Sequence, residues 1–186
     1  MEHYNKYLEC LKKYNDAMVF AINAHKDQTY GDGNNAKPYV IHLISVSEVL
    51  TRFGFHIIDS DRGIILHIAS LLHDSIEDAG IKFRDIEKQF GKDVAEIVFC
   101  VTDELGRNRK ERHEKTYPKI RANKNAVVVK LADRIANVEY SSKNRSRQMD
   151  MYRHEYSDFK QHLFNGDNVD MWNHLEHLLN PTGEKV

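Results

Sequence analysis

Cysteine, proline and long apolar runs are all scarce in this chain, and each scarcity narrows what it can be. The two cysteines, Cys10 and Cys100, lie far apart in sequence with no CxxC pairing. Neither a disulfide framework nor a thiolate metal site is therefore expected, and a reducing, cytoplasmic setting fits. No stretch approaches the roughly 18 apolar residues that a membrane span requires, and Met1-Glu2-His3-Tyr4-Asn5-Lys6 lacks the apolar centre of a signal peptide. A charge excess is missing too, since 27 Lys and Arg stand against 28 Asp and Glu. Such a balance creates no global field for nucleic acid or an anionic membrane, so any affinity for a phosphorylated small molecule has to come from a local cluster. Three prolines and nine glycines fall mostly between periodic segments of the 186-residue chain, which favours long helices over a sheet of short strands. The expected fold is all-α. One domain over residues 1–186 is expected, because two would each be small for a self-supporting core.

Periodicity places the helices. A first one is expected over residues 3–29, where Tyr7, Leu8, Leu11, Tyr14, Met18, Ala21, Ile22 and His25 recur at three- and four-residue steps. Gly31-Asp32-Gly33-Asn34-Asn35 reads as a turn, and Pro38 suits the first turn of a second helix running to about Phe53. The most apolar segment is 59–78, where Ile64, Ile65, Leu66, Ile68, Ala69, Leu71 and Leu72 leave almost no polar face. It is expected to be the central, buried helix. Two shorter helices follow over about 83–90 and 92–103, and residues 107–122 are strongly basic. From Asn125 a valine run continues into Leu131-Ala132-Asp133-Arg134-Ile135-Ala136, which favours helix over a short strand through Val138. Two amphipathic helices, about 148–164 and 168–179, end at Asn180-Pro181.

Chemistry concentrates where polar residues interrupt apolar helices. Leu71-Leu72-His73-Asp74-Ser75-Ile76-Glu77-Asp78 places ionisable side chains at the end of the segment least able to solvate them, and burying charge is costly unless it is paired or binds a metal. His73 and Asp74 are neighbours on one helix, so they converge only on something lying between their directions, and a cation is the simplest such object. Two further apolar segments each offer a ligand: His42, behind Pro38-Tyr39-Val40-Ile41, and Asp133, inside Val129-Lys130-Leu131-Ala132-Asp133. Two imidazoles and two carboxylates form a mixed nitrogen and oxygen set suited to Mn²⁺, Fe²⁺ or Zn²⁺.

The order His42, His73-Asp74, Asp133 resembles the ligand order of the HD superfamily of metal-dependent phosphohydrolases. Three blocks carry a closer resemblance to the hydrolase domain of RelA/SpoT-type alarmone enzymes and to the single-domain small alarmone hydrolases. They are Ala24-His25-Lys26-Asp27-Gln28 leading to Lys37-Pro38-Tyr39-Val40-Ile41-His42, then Leu71 to Asp78, then Val129 to Asn137. The motif-bearing core thus covers about 24–137, with C-terminal helices over about 148–180. The resemblance implies an HD-type helical bundle that holds one divalent ion and hydrolyses a phosphate or pyrophosphate ester of a small-molecule nucleotide. A guanosine 3′,5′-bis(diphosphate) 3′-pyrophosphohydrolase is the foremost reading. It also implies that Glu77 and Asp78 act beside the metal, and the spacing agrees, since Glu77 stands four residues from His73 and Asp78 four from Asp74. Asn137, one turn beyond Asp133, resembles the family's nucleotide-facing residue.

The chain departs from that pattern in one place. Where alarmone hydrolases carry an Arg-Lys pair after the HxxQ segment, Thr29-Tyr30-Gly31 follows Gln28. Phosphate contacts are then expected from the basic group Arg107, Arg109, Lys110, Arg112 and Lys115, with Arg109 and Arg112 foremost, and Tyr30 is a candidate to stack on a base. His25 and Gln28 are expected to play a structural role. Two alternatives stay open: another nucleotide (a nucleoside mono- or triphosphate, or a phosphorylated dinucleotide), and a non-catalytic nucleotide sensor. Retention of both Glu77 and Asp78 speaks against the sensor. The sequence leaves the oligomeric state open.

Overall fold

A computed structural model describes residues 2–31, 36–58 and 60–181. Most of the turn expected at 31–35 lies outside the described residues, as does Asp59, the expected start of the central helix. Ten helices and one two-stranded hairpin follow in the order α1 Glu2–Ala24, β1 Thr29–Tyr30, β2 Lys37–Pro38, α2 Val40–Arg52, α3 Asp61–Leu72, α4 Ser75–Ala79, α5 Phe83–Phe90, α6 Lys92–Val101, α7 Arg109–Ala122, α8 Lys124–Asn144, α9 Gln148–Leu163 and α10 Val169–Leu179. The fold is all-α apart from that hairpin. No described helix is long and apolar enough to cross a membrane.

The core forms around α3 and α8. In α3, Leu66, Ala69, Leu71 and Leu72 are fully buried, and in α8 Val127, Val128, Val129, Leu131 and Ile135 are buried on nearly every side. A helix enclosed all round needs no polar face, which is why the valine run of α8 reads equally as strand or helix until its neighbours are known. Asn123 caps α8, its side-chain oxygen accepting from the amides of Asn125 at 3.0 Å and Ala126 at 3.2 Å. The cap thus falls two residues before the expected start, and the helix runs on to Asn144.

Three expectations are corrected. The first helix stops at Ala24, and Thr29 and Tyr30 form a strand whose register pairs Thr29 with Pro38 and Tyr30 with Lys37. Pro38 therefore sits in the hairpin, and α2 begins at Val40 after Tyr39. Along α1 the inward face is Cys10, Ala17 and Ala21, while Tyr7, Leu8, Leu11 and Ile22 are exposed. Small alanines let α1 lie close against α3, and the larger residues turn outward. The expected helix over 59–78 breaks at His73-Asp74, separating α3 from α4. His73 Nδ1 donates to the Ser70 carbonyl at 2.8 Å, taking at the last turn of α3 an acceptor that continued helix would use.

Candidate metal centre

Helices α2, α3 and α8 meet with His42, His73 and Asp133 facing one another. One ligand atom from each lies within 4.8 Å of the others. His42 Nε2 is 3.3 Å and His73 Nε2 3.7 Å from Asp133 Oδ1. Asp74 approaches from the break between α3 and α4, its Oδ2 lying 2.8 Å from His73 Nε2 and 3.8 Å from His42 Nε2. The imidazoles and Asp133 are buried.

This cluster fits a divalent cation on its own chemistry. His73 uses Nδ1 as a donor to Ser70, which leaves Nε2 as the atom that faces the carboxylates and that would hold a cation in place of a proton. His73 Nε2 and His42 Nδ1 are buried without a hydrogen-bond partner of acceptable geometry, and buried polar atoms are rarely left so. Burial alone would push the His73 imidazole down, but Asp74 and Asp133 override it and hold it well above its usual range. Burial would push the Asp133 carboxyl up, yet Lys130 and the two imidazoles hold it well below. Both shifts mark a place that favours positive charge.

Around the cluster lies an inner cavity of about 180 Å³, lined by Tyr39, Glu77, Asp103, Arg109, Arg112 and Lys130 among others. Glu77 reaches this cavity from α4, held by the Asp103 amide, which donates to its Oε2 at 2.9 Å. Asp78 goes elsewhere: the Tyr39 hydroxyl lies 2.6 Å from Asp74 Oδ2 and 3.5 Å from Asp78 Oδ2. The expectation that Glu77 and Asp78 extend from one side of the helix is corrected, because adjacent residues of α4 point about 100° apart and send Glu77 to the cavity and Asp78 to Tyr39. Burial is the leading cause that raises both the Glu77 and Asp78 carboxyls above their ordinary range.

His25 and Gln28 take the structural role expected of them. His25 Nδ1 and Gln28 Oε1 are 2.7 Å apart, and Gln28 Nε2 donates to the Asp78 carbonyl at 2.7 Å, tying the hairpin to α4.

The basic group at and just before the start of α7 divides between the cavity and the outside. Arg109 and Arg112 line the inner cavity. Arg112 Nη1 lies 3.8 Å from Glu77 and 3.7 Å from Asp103, and Arg109 forks onto both oxygens of Glu155. Arg107 and Lys115 instead pair with Glu111 on the outer side. Asn137 donates from Nδ2 to Asp133 Oδ1 at 2.5 Å and accepts from the Tyr30 hydroxyl at 2.9 Å. The Tyr30 ring is already packed, stacked on His42 at 4.7 Å and tilted against Tyr140 at 4.4 Å.

Lys130, Tyr39, His113 and Tyr152 also line the inner cavity, and none of them belongs to the candidate set above. Lys130 Nζ sits 3.2 Å from Asp133 Oδ2, and a lysine one turn before an aspartate on an apolar helix is a signal the sequence does carry. Tyr152 arrives from α9 and has no local signal.

Comparison with known proteins gives the family. The HD domain pattern matches residues 17–164. The chain belongs to the HD domain family. It is 34% identical over 134 residues to the Drosophila melanogaster guanosine-3′,5′-bis(diphosphate) 3′-pyrophosphohydrolase MESH1, covering 72% of this chain and 68% of that protein. It is 33% identical over 135 residues to the bifunctional (p)ppGpp synthase/hydrolase SpoT of Escherichia coli, covering 69% of this chain but only 18% of SpoT. A solved structure described as a metazoan ortholog of SpoT that hydrolyzes ppGpp superposes with a TM-score of 0.76 at 27% identity, over 92% of this chain and 96% of the other. Family and cluster together make this a divalent-metal site.

Proposed function

We propose that this HD-family chain removes the 3′-pyrophosphate of a guanosine polyphosphate of the ppGpp type, with one divalent ion, Mn²⁺ foremost, held by His42, His73, Asp74 and Asp133. The observation that carries the reading is the convergence of these four residues, in HD order, beside a cavity walled by Glu77, Arg109 and Arg112. A divalent ion there supplies Lewis acidity, polarising a phosphoryl oxygen and acidifying water. Glu77 takes the proton of the attacking water; its raised carboxyl suits it to hold that proton. As the new phosphorus–oxygen bond forms, the bond from phosphorus to the 3′ oxygen breaks, the electron pair leaves with that oxygen, and a proton returns to it. Arg109 and Arg112 offset charge on the phosphoryl oxygens. Tyr39 bridges Asp74 and Asp78, which assigns Asp78 the task of fixing Asp74 and its surroundings rather than meeting the water directly.

The test is hydrolysis of ppGpp by chelator-treated protein with Mn²⁺, Mg²⁺, Zn²⁺ or no addition, followed by release of pyrophosphate. Metal-dependent release supports the reading, and none with any metal overturns it. A second reading keeps the ion and the water but takes another phosphorylated nucleotide. It is favoured by Tyr30, which occupies the place of the family's Arg-Lys pair and is packed on His42. Turnover of another nucleotide in the same panel, at a higher kcat/KM than ppGpp, supports it.

A further inference from the structure

Beside the metal cavity lies a second one of about 650 Å³, lined by Tyr30, Lys37, Arg52, Glu139, Tyr140 and Lys143 among others. Small-molecule sites occupy roughly 300 to 1,000 Å³, so this outer cavity has the size for a nucleotide. The inner cavity is smaller, at about 180 Å³, a size that matches a phosphate group and water. Arg52 is engaged by Glu139, with its Nη2 2.9 and 2.8 Å from the two carboxylate oxygens. Lys37 and Lys143 form no ion pair among the described residues, and with Arg52 they outnumber the cavity's carboxylates, Glu48 and Glu139, by one positive charge.

Tyr30 stands between the two spaces. It lines the outer cavity, while its ring stacks on the metal-cluster imidazole His42 at 4.7 Å with the planes 21° apart. Its hydroxyl donates to Asn137, which lines the inner cavity and donates in turn to Asp133. The preceding residue, Ala136, lines the outer cavity.

We propose that Tyr30 is a specificity-determining latch: its contacts with His42 and Asn137 part the metal cavity from the outer cavity, and a nucleotide spanning both must displace it. Displacement frees Asn137 Oδ1 to accept a hydrogen bond from the incoming ligand. Compounds small enough for the inner cavity alone never open the latch. This rests on the hydrolase reading above for where the reacting phosphate lies, but not on which nucleotide carries it.

The experiment compares two probes on Mn²⁺-loaded wild type, Tyr30→Phe and Tyr30→Ala, with metal content measured on each. Tyr30→Phe keeps the ring and removes only the hydrogen bond to Asn137. Opening then costs one hydrogen bond less, so the KM for ppGpp falls about fivefold, while inhibition by inorganic pyrophosphate changes by less than twofold. Tyr30→Ala merges the cavities and lowers the KM at least as far. Parallel changes for both probes, a raised nucleotide KM, or no change in either overturns the latch. If wild type turns over no nucleotide, the hydrolase reading fails separately. Calorimetric binding of GTP against pyrophosphate then reads the same partition without catalysis, with tighter GTP binding in Tyr30→Phe expected and equal binding overturning it.

Discussion

The metal end of the site and its arginine rim are built on opposite principles. His42, His73 and Asp133 are buried on helices that are themselves enclosed by apolar neighbours, so the only groups that can satisfy them are one another and a cation. The rim is half-exposed, and its charges already have protein partners: Arg109 has Glu155, Arg112 has Glu77 and Asp103. Losing a ligand from the first leaves buried charge uncompensated, whereas losing a residue from the second removes an attraction that water partly replaces. The metal end should therefore be brittle and the rim tolerant.

The sharpest way to break that contrast is to remove a ligand. His73→Ala and Asp133→Ala are expected to release the ion, abolish hydrolysis and destabilise the fold by about 3 to 5 kcal/mol, the cost of orphaning one side of a buried pair. Elemental analysis and thermal melts check both. A variant that kept its metal and its melting temperature would show that the cluster is not the brittle element described.

Next in size are the carboxylates of α4. Glu77→Gln is expected to lower kcat by about 10²- to 10⁴-fold, the usual worth of a positioned acid or base, with metal retained. Asp78→Asn should cost less, because Asp78 acts through Tyr39 and Asp74. Equal losses would return both residues to one catalytic pair. Loss of metal in Glu77→Gln would move Glu77 into the ligand set.

Rim substitutions come third. Arg109→Ala and Arg112→Ala are expected to raise KM about tenfold with a smaller change in kcat, the pattern of lost uniform binding. A kcat collapse at constant KM would instead place the arginine against the transition state.

The smallest effect belongs to His113, which burial and the nearby Arg109 push down to about 4. It is neutral when folded but ionises near 6.5 when unfolded. The unfolded chain therefore binds more protons in this window, and the stability contributed by a neutral His113 is lost as pH falls from about 6.5 towards about 4. Melting temperature in His113→Gln should decline less steeply than wild type over that window, and identical slopes would contradict the assignment.

The same contrast explains what was legible in the sequence. Polar residues on helices too apolar to solvate them are conspicuous, and His42, His73, Asp74 and Asp133 were all found that way before the fold brought them together. Lys130 carried the same mark but was read only as part of a motif. Rim residues have no such mark, since a charged side chain on a basic helix looks alike whether it faces solvent or a cavity. Arg109 separates from Arg107 only when α9 supplies Glu155. The break at His73-Asp74 was hidden for another reason: it depends on a ring nitrogen competing for a backbone carbonyl, which helical periodicity does not record. The hairpin escaped because each of its strands has only two residues, too few for any alternation.

Titrating Mn²⁺ into chelator-treated protein while following pyrophosphate release from ppGpp tests the central claim most directly. No release is expected without metal, then a rise that saturates at one ion per chain, with no rise in His73→Ala at the same concentrations. Release that is independent of metal, or equally metal-stimulated in His73→Ala, would contradict it.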